Sequence, residues 1–350
     1  MNSRERVRQA LTCRRPDRIL KALTFWEESI PRITPVSPSD YFSLDVRFVD
    51  FKPPPGQEGF LGYLEGLPKD VHVGSPAQLR TYHEWGYHPE TAGAGPLGHA
   101  RTLEDVAGHV LPDLADPRRY AGLRAEVEAL HSRGLAVAGS PPHLGGEFFE
   151  TAYRLRGFQT FLTDLVLNKP LARYLLDQLA ALTLHNALIL AQAGVDILLL
   201  DDDVAMPTGL IVSPAAWREF FKPRLAGVIR EAREASPELI VFYHSDGDFT
   251  RLVPDLVEIG VDVIHPLQPD CMDALAIKRE FGDRLALWGT AGSAWLWDRG
   301  TPAQIRQEVR YRIDTLGPSG LLLSPAYDID FIPSENLVAF FEAIDEYGAL

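Results

Sequence analysis

Apolar and polar residues alternate with two different periods in the second half of the chain. Residues 182–194 carry apolar side chains at helical spacing and end in Gly194, and the wholly apolar run VDILLL follows. This order of helix, glycine and apolar strand recurs, with strands beginning at about residues 195, 239, 261, 284 and 320. Short strands that are apolar throughout are typical of a parallel sheet covered by helices on both faces. The pattern therefore predicts a series of β-α units.

Local signals predict where several helices begin and end. Ser213 followed by Pro214 is typical of an N-cap and a first helical position. That helix is predicted to run through WREFFKPRLAGVIREAREA with a bend at Pro223. Gly194 and Gly260 stand where glycines commonly end helices. A last helix is predicted over ENLVAFFEAIDEYG.

Two further strands bring the predicted number close to eight. LAVAGS at 135–140 and an early strand near RILKALTFW add to the five units. Eight strands alternating with helices favour a (β/α)8 barrel, the TIM barrel, over an open doubly wound sheet. No G-x-G-x-x-G follows a predicted strand, which argues against a dinucleotide-binding sheet. We therefore predict an α/β chain in which residues 1–350 form one TIM-barrel domain.

The first part of the chain, up to about residue 130, is less regular. PVSPSD, FKPPPGQEG and TAGAGPLG are rich in proline and glycine and are predicted loops. We expect them to be insertions over one end of the barrel rather than a separate domain.

Composition narrows the class of protein. Of the 350 residues 46% are hydrophobic and 23% charged, and no stretch approaches the roughly 20 apolar residues of a membrane span. The formal net charge of −14 argues against a nucleic-acid partner. MNSRERVRQALTCRRPDR lacks the apolar core of a signal peptide, and two cysteines do not indicate a disulfide framework. We therefore predict a cytoplasmic protein with no membrane association.

Titratable side chains follow the predicted strands. The active site of a (β/α)8 barrel lies at the carboxyl ends of its strands. The residues after the strands include His143, Glu147, Glu150, Asp201, Asp202, Asp203, His244, Asp246, Asp248, His265, Gln268, Asp270, Cys271, Tyr327, Asp328 and Asp330. The sequence therefore predicts a rim rich in imidazoles and carboxylates, which includes the stretch VFYHSDGD at 241–248.

Some of these residues also have a structural interpretation. Asp203 and Asp248 are expected to cap neighbouring helices. His265, which precedes a proline, fits a core residue as well as a ligand, and His143 fits an exposed loop. Three consecutive aspartates need a positive partner, which is a metal, a cationic substrate or an arginine. The candidate arginines are Arg154, Arg156 and Arg224.

A metal site is one interpretation of the rim. His244 and Asp246 are spaced i, i+2, and Cys271 is a third candidate ligand. Such a set suits zinc or a harder ion. The chain has no H-E-x-x-H or C-x-x-C motif to complete a ligand set, and no G-x-S-x-G nucleophile motif.

Several segments resemble one family. SRERVRQALTCRRPDRI resembles the opening helix and strand of the uroporphyrinogen decarboxylase superfamily, which also contains corrinoid-dependent methyltransferases. The later segments that resemble it are LRGFQTFLTDLVLNKP, GVDILLLDDDVAMPTGLIVSPAAWREFFKPRL, and PDLVEIGVDVIHPLQP through MDALAIKREFGDRLALWG. The resemblance covers residues 3–19 and about 145–347, while residues 20–130 match poorly. It implies a (β/α)8 barrel with a deep cleft.

The zinc site of the family's methyltransferases is altered in this chain. In those enzymes the histidine and cysteine of H-x-C-G and a second cysteine hold zinc, which activates a thiol acceptor. Here HSDG at 244–247 stands in place of H-x-C-G, so that His244 matches the histidine and Asp246 the first cysteine. Tyr327 stands at about the second cysteine. The resemblance therefore implies either a harder His/Asp site, with Asp202 or Cys271 as a further ligand, or no metal.

The pattern of the family's decarboxylases is also incomplete. Their arginine-rich loop W-x-M-R-Q-A-G-R-Y is absent, and LTFWEESIP near the matching position carries acids where a tetrapyrrole needs cations. Asp201, Asp202 and Asp203 lie on a later strand than the aspartate at the decarboxylase's substrate centre, so they do not inherit its role.

Three functions are compatible with these residues. Methyl transfer involving a small methylated molecule or a corrinoid ranks first, a decarboxylase or other lyase second, and non-catalytic binding of a corrinoid or tetrapyrrole third. The residues assigned to catalysis are His244, Asp246, Asp202 and Tyr327, those assigned to a metal His244, Asp246 and Cys271, and those assigned to substrate contacts Glu150, Arg156 and Gln268. The expected cofactors are zinc, a corrinoid or none, and the expected partners a small-molecule substrate, a corrinoid protein and a second copy of the chain.

Overall fold

Eight short parallel strands form the centre of the molecule. The computed structural model describes residues 1–23, 36–53, 60, 76–88, 95–327 and 332–349. The strands are β1 (Leu20–Lys21), β2 (Val46–Val49), β3 (Ala136–Gly139), β4 (Ile197–Asp201), β7 (Ile240–His244), β8 (Val263–His265), β9 (Ala286–Trp288) and β10 (Leu321–Leu323). They pair in the order β1-β10-β9-β8-β7-β4-β3-β2.

The two end strands of this sheet approach each other. The backbone N–H of Asp45, just before β2, donates to the carbonyl oxygen of Lys21 in β1 at 2.9 Å. The sheet is therefore a nearly closed barrel, and the predicted (β/α)8 TIM barrel is confirmed.

Helices follow most strands and cover the barrel. They are α1 (Ser3–Leu11), α2 (Pro38–Tyr41), α3 (Pro76–Glu84), α4 (Leu103–Ala107), α5 (Leu123–Ser132), α6 (Phe149–Arg156), α7 (Phe158–Leu167), α8 (Lys169–Ala193), α9 (Pro214–Phe220), α10 (Lys222–Ala235), α11 (Val253–Ile259), α12 (Ala274–Phe281), α13 (Ala294–Arg299), α14 (Pro302–Leu316) and α15 (Ser334–Tyr347). Short 3₁₀ turns span Pro117–Arg119 and Thr250–Leu252.

The predicted start of the helix at Ser213 and the predicted helix ends at Gly194 and Gly260 are confirmed. The Ser213 hydroxyl accepts a hydrogen bond from the backbone N–H of Ala216 at 3.2 Å, at the start of α9. Gly194 and Gly260 end α8 and α11 with φ of 93° and 96°. The predicted bend at Pro223 is a break between α9 and α10 at Phe221.

Within the described ranges, α8 is the one helix whose length and hydropathy would suffice to cross a membrane. Of its most apolar window 44% is buried in the fold, and its buried stripe includes Leu171, Leu175 and Leu190. It packs against α10, as a helix of the outer barrel layer does.

Alternate residues of each strand face the barrel interior and the helices. The inner cluster contains Ile197, Leu199, Ile240, Phe242 and Val263, together with Val7, Ala10 and Leu11 of α1. The outer cluster contains Leu198, Leu200, Val241, Tyr243 and Ile264. Since α1 contributes to the inner cluster and Arg4 N–H bonds the carbonyl of Gly134 ahead of β3, α1 closes the amino-terminal end of the barrel.

Two features were not predicted from the sequence. The first is β2, whose sequence is VRFV: the charged Arg47 interrupts the apolar pattern from which strands were predicted. The Arg47 guanidinium is buried and donates to the carbonyl oxygen of Leu44 and to the Asp40 carboxylate, so the strand tolerates it. The second is an antiparallel hairpin of β5 (Ala205–Met206) and β6 (Gly209–Leu210), which follows β4.

Some of the sequence expectations lie outside the described residues. These are LTFWEESIP after Leu23, the parts of FKPPPGQEG and TAGAGPLG at 54–59 and 91–94, and the strand-end residues Asp328 and Asp330.

Candidate functional site

Three polar residues stand side by side where β4, β7 and β8 end. Asp201 pairs in register with His244, and His244 with His265. The residues two positions earlier on each strand belong to the inner cluster, so these three side chains face the barrel interior. All three are buried. They form one cross-strand row at the carboxyl end of the barrel.

His244 is held at both ring nitrogens. Its Nδ1 lies 2.7 Å from Nδ1 of His265, and its Nε2 lies 3.5 Å from Asp203 Oδ1 and 3.9 Å from Asp201 Oδ1. Burial lowers the pKa of His244, but Asp201 and Asp203 outweigh it and raise that pKa to about 10. Burial and then the charge of His244 lower the pKa of His265 well below its usual value. His244 is therefore the protonated partner and donates through Nδ1 to a neutral His265.

Asp201, Asp203 and His244 form a compact set of ligand atoms. One oxygen from each carboxylate and one imidazole nitrogen all lie within 4.8 Å of one another. Asp201 Oδ1 is buried and accepts no hydrogen bond from the described residues. Two carboxylate oxygens and an imidazole are ligands for zinc or a harder divalent ion. These residues fit a divalent metal.

Asp203 and Asp248 differ in what they bind. Asp203 was expected to cap a helix, but its Oδ1 accepts from the backbone N–H of Asp246 at 2.6 Å. This bond ties the end of β4 to the loop after β7. Asp248 Oδ1 accepts from the backbone N–H of Thr250 at 3.0 Å, but the N-cap residue of the following 3₁₀ turn is Phe249, so the expected helix cap is not formed.

A cavity of about 220 Å³ opens at this row. Its polar lining includes Asp201, Asp203, His244, Asp246, Glu150, Arg154 and Tyr327, and its apolar lining includes Pro266, Pro325 and Ala326. Four residues predicted for the site, His244, Asp246, Glu150 and Tyr327, are thus brought together. Two larger cavities of about 360 and 470 Å³ lie away from the row, and their lining contains none of these residues.

Glu150 enters the cavity from the first turn of α6. It is buried, and its Oε1 accepts from the Tyr153 hydroxyl at 2.6 Å and from Arg154 Nη2 at 2.9 Å. Burial raises the pKa of Glu150, and the positive charge of Arg154 opposes that rise. Glu150, but not Arg154, was predicted from the sequence to contact substrate. The i, i+4 spacing of a glutamate and an arginine in ETAYR was the signal for this pair.

Gln268 and Cys271 lie behind Asp246. Gln268 Nε2 donates to Asp246 Oδ1 at 2.8 Å, and its Oε1 accepts from the backbone N–H of Gly247 at 2.9 Å. Cys271 Sγ lies 3.5 Å from Gln268 Oε1. Burial, followed by the charges of neighbouring aspartates, raises the pKa of the Cys271 thiol, which disfavours the thiolate that a metal needs. The compact ligand set therefore differs from the predicted His244, Asp246 and Cys271.

Asp202 does not face the cavity. It follows the inward-facing Asp201 by one residue, so the strand pleat directs it towards the helices. Its two carboxylate oxygens accept from the backbone N–H groups of Phe149 and Glu150 at 2.8 and 3.0 Å, at the start of α6. The position does not agree with the predicted catalytic role. Asp202 instead holds the helix that carries Glu150 and Arg154.

Arg156 is also directed away from the cavity. Two residues advance an α-helix by slightly more than half a turn, so Arg156 and Arg154 lie on different faces of α6. Arg156 Nε donates to Asp164 Oδ2 at 2.8 Å and Nη1 donates to the carbonyl oxygen of Leu97. The ion pair is buried. This position does not agree with the predicted substrate contact.

Glu147, His143 and Tyr327 complete the surroundings of the row. One Glu147 carboxylate oxygen accepts from the backbone N–H of Asp201, and the other, Oε1, is buried with no hydrogen-bond partner among the described residues. His143 is partly buried rather than exposed. Tyr327 lines the cavity. Its hydroxyl donates to Oδ2 of Asp270, a residue that is not part of the cavity lining, at 2.8 Å.

Comparison with known proteins gives a family and a fold. The family model described as uroporphyrinogen decarboxylase (URO-D) matches residues 136–347. A search of curated protein sequences finds no match. A methyltransferase from Methanosarcina mazei is similar over 99% of both chains, with a TM-score of 0.68 and 17% identity, which shows a shared fold.

Two further solved structures are similar to parts of the chain. A B12-independent methionine synthase from Shewanella sp. W3-18-1 covers 64% of each chain at 12% identity and a TM-score of 0.39. An alpha-amylase from Geobacillus thermoleovorans covers 88% of this chain and 79% of its own at 13% identity and a TM-score of 0.42.

Proposed function

Because this chain belongs to the uroporphyrinogen decarboxylase (URO-D) family, we propose that it is an enzyme that transfers a methyl group to or from a small molecule in the cavity. The observation that carries this proposal is the compact set of Asp201, Asp203 and His244. Its His244 stands where, by resemblance, the family's methyltransferases have their zinc-binding histidine, while Asp201 and Asp203 come from a different strand than the residues at the cysteine positions.

Asp201, Asp203 and His244 would hold the metal through two carboxylate oxygens and Nε2 of the imidazole. A bound divalent ion lowers the pKa of a group that it coordinates and so supplies a nucleophile near neutral pH. Carboxylates are harder ligands than thiolates, so the set suits zinc or a harder ion rather than a thiolate-rich zinc site.

The protein residues around this set provide orientation and an enclosed site. His265 accepts from His244 Nδ1 and so directs His244 Nε2 towards the two aspartates. The backbone N–H of Asp246 fixes Asp203 in the same way. Pro266, Pro325 and Ala326 provide an apolar wall that limits the number of waters beside the row.

The methyl carrier would be a methylated small molecule or a corrinoid on a partner protein. A corrinoid macrocycle does not fit inside a cavity of about 220 Å³. We therefore assign no step in the cavity to a corrinoid, and the proposal concerns the small-molecule partner.

Metal analysis of purified variants tests this proposal. Protein expressed with zinc and dialysed without chelator should hold about one metal per chain. We expect Asp201→Asn, Asp203→Asn and His244→Ala to lose it. Asp246→Asn and Cys271→Ser, which alter the set predicted from sequence, should retain it, as should the control Asp248→Asn.

The same proteins can be assayed for methyl transfer. Transfer of a methyl group to a thiol from a panel of methylated amines, ethers and thioethers should depend on the metal and on His244. Metal-free wild-type protein, or metal that all the variants retain equally, would contradict the proposed site.

Decarboxylation is a second candidate, and two buried acids favour it. Burial and the neighbouring carboxylates raise the pKa values of Glu147 and Asp201 well above their usual range. The positive charge of His244 opposes this rise at Asp201, and both acids are biased towards the protonated form relative to an exposed carboxyl. Of the two, Asp201 lines the cavity, and in its protonated form it would donate a proton to the carbanion-like carbon that loss of CO₂ leaves. Such activity would resist chelators and have a bell-shaped pH profile.

A further inference from the structure

Arg154 brings a permanent positive charge to a cavity whose lining includes four carboxylates. Its Nη2 donates to Glu150 Oε1 at 2.9 Å, and Tyr153, which shares that carboxylate, lies beside the guanidinium. A guanidinium carries five N–H donors, more than these two contacts use, so donors remain for a ligand. The side chain is 21% exposed and lines the cavity. Arg154 can therefore bind a ligand without giving up Glu150.

The guanidinium is held in one place before any ligand arrives. Gly145 has φ of +98°, and a Cβ there would lie 2.4 Å from Arg154 Nη1. Only a glycine lets the guanidinium lie this close to the loop after β3. Glu150 restrains the other end of the group, since its carboxylate also accepts from Tyr153. A group fixed in this way loses little entropy on binding, which favours specific recognition.

The cavity limits the size and charge of the ligand. A volume of about 220 Å³ lies below the roughly 300–1,000 Å³ typical of ligand pockets, so the cavity suits a small molecule. Asp203 and Asp246 face the same space, so a dianionic phosphate would meet more repulsion than a singly charged carboxylate.

We propose that Arg154 selects the substrate by binding its carboxylate, so that the enzyme acts on a small carboxylic acid. This inference rests on the proposed function in taking the cavity as the substrate site. It applies to methyl transfer and to decarboxylation alike. Arg154 is then the specificity residue, while Asp201, Asp203 and His244 lie at the reacting end.

Binding of matched acids and amides tests this inference. Acetate, propionate and benzoate are titrated against acetamide, propionamide and benzamide, with chelator-treated protein so that no metal competes for the acids. We expect the wild type to bind each acid at least tenfold tighter than its amide. Arg154→Gln should lose that preference and leave the affinity for amides unchanged.

Arg310→Gln is the matched control. Arg310 pairs with Asp314 four residues away on α14, as Arg154 pairs with Glu150 on α6, but its side chain is 63% exposed. Its removal should leave the preference for acids intact. Circular dichroism and thermal unfolding would establish that Arg154→Gln folds normally.

Two results would overturn the inference. One is equal affinity of the wild type for acids and amides, and the other is an unchanged preference in Arg154→Gln. Metal content measured on samples without chelator treatment distinguishes failure of this inference from failure of the proposed function. Metal at the compact set without acid preference would overturn only the role of Arg154, and acid preference without metal would overturn only the metal site.

Discussion

Nδ1 of His244 and Nδ1 of His265 lie 2.7 Å apart, so one imidazole donates a hydrogen bond to the other. Since His244 also faces two aspartates, it carries the proton and His265 accepts. His265 was interpreted from sequence either as a core residue or as a ligand. In the structure it is a buried residue that orients the imidazole beside it.

Replacing His265 should weaken metal binding without removing a ligand. His265→Phe keeps a ring between Phe242 and Trp288 but cannot accept from His244 Nδ1. Loss of such an orienting partner commonly costs 10- to 100-fold in metal affinity. We expect this loss for zinc in isothermal titration calorimetry. Trp288→Phe, which contacts the His265 ring but not His244, should bind zinc normally, and an unchanged affinity in His265→Phe would refute the orienting role.

Asp202 should matter for stability more than for chemistry. Asp202→Ala leaves the buried N–H groups of Phe149 and Glu150 without acceptors, at a cost of about 1–3 kcal/mol in the free energy of unfolding. Asp202→Asn keeps one acceptor oxygen and should lose less. Urea denaturation measures both values. Loss of metal from Asp202→Asn at wild-type stability would instead place Asp202 in the catalytic site, as the sequence analysis had it.

The strand pleat and the strand register explain why only part of the site could be predicted from the sequence. The apolar strands and their terminal glycines, such as Gly194, predicted the barrel and the rim at the carboxyl ends of the strands. Which of Asp201, Asp202 and Asp203 points inward depends on the strand pleat, which the sequence analysis did not apply. The pairing of β4 with β7 places Asp201 beside His244, and residues 43 positions apart give no local signal of that contact.

The rotation of α6 about its axis determines which of Arg154 and Arg156 faces the cavity. Arg154 and Arg156 are both in ETAYRLRG, and either could face the cavity until the helix is fixed in space. Asp164, on α7, pairs with Arg156 and so leaves Arg154 to the cavity. An ion pair between two helices is a tertiary contact that neither helix predicts alone.

Breaking the Arg156–Asp164 pair should destabilise the fold. Arg156→Ala leaves the buried Asp164 carboxylate without its partner, and we expect a loss of about 3–5 kcal/mol in the free energy of unfolding. Replacing both residues, as in Arg156→Met with Asp164→Leu, should recover much of that loss. Chemical denaturation tests this. A single variant as stable as the wild type would show that Arg156 is free to serve another role.

Stability should fall in acid because of His143. Burial, and then the charges of Arg154 and His244, lower the pKa of His143 from its usual 6.5 to about 4. Between pH 6.5 and 4 the unfolded chain therefore binds a proton at this residue that the folded chain does not. This contribution is complete above pH 6.5 and is lost as the pH falls to 4, with a slope of at most about 1.4 kcal/mol per pH unit.

His143→Gln isolates this effect. We expect the difference in unfolding free energy between the variant and the metal-free wild type to change in favour of the variant as the pH falls from 6.5 to 4. Urea denaturation at several pH values measures it. Parallel pH profiles for the two proteins would mean that His143 keeps an ordinary pKa in the fold.

The cross-strand row has a consequence for protein engineering. Asp201, His244 and His265 are placed by backbone pairing within a rigid sheet, with neighbouring strands about 4.8 Å apart, and not by a loop. Side chains introduced at these positions would inherit the same spacing. Asp201→His would thus set three imidazoles in line at the mouth of a stable barrel, which offers a scaffold for artificial metalloenzymes that needs no loop redesign.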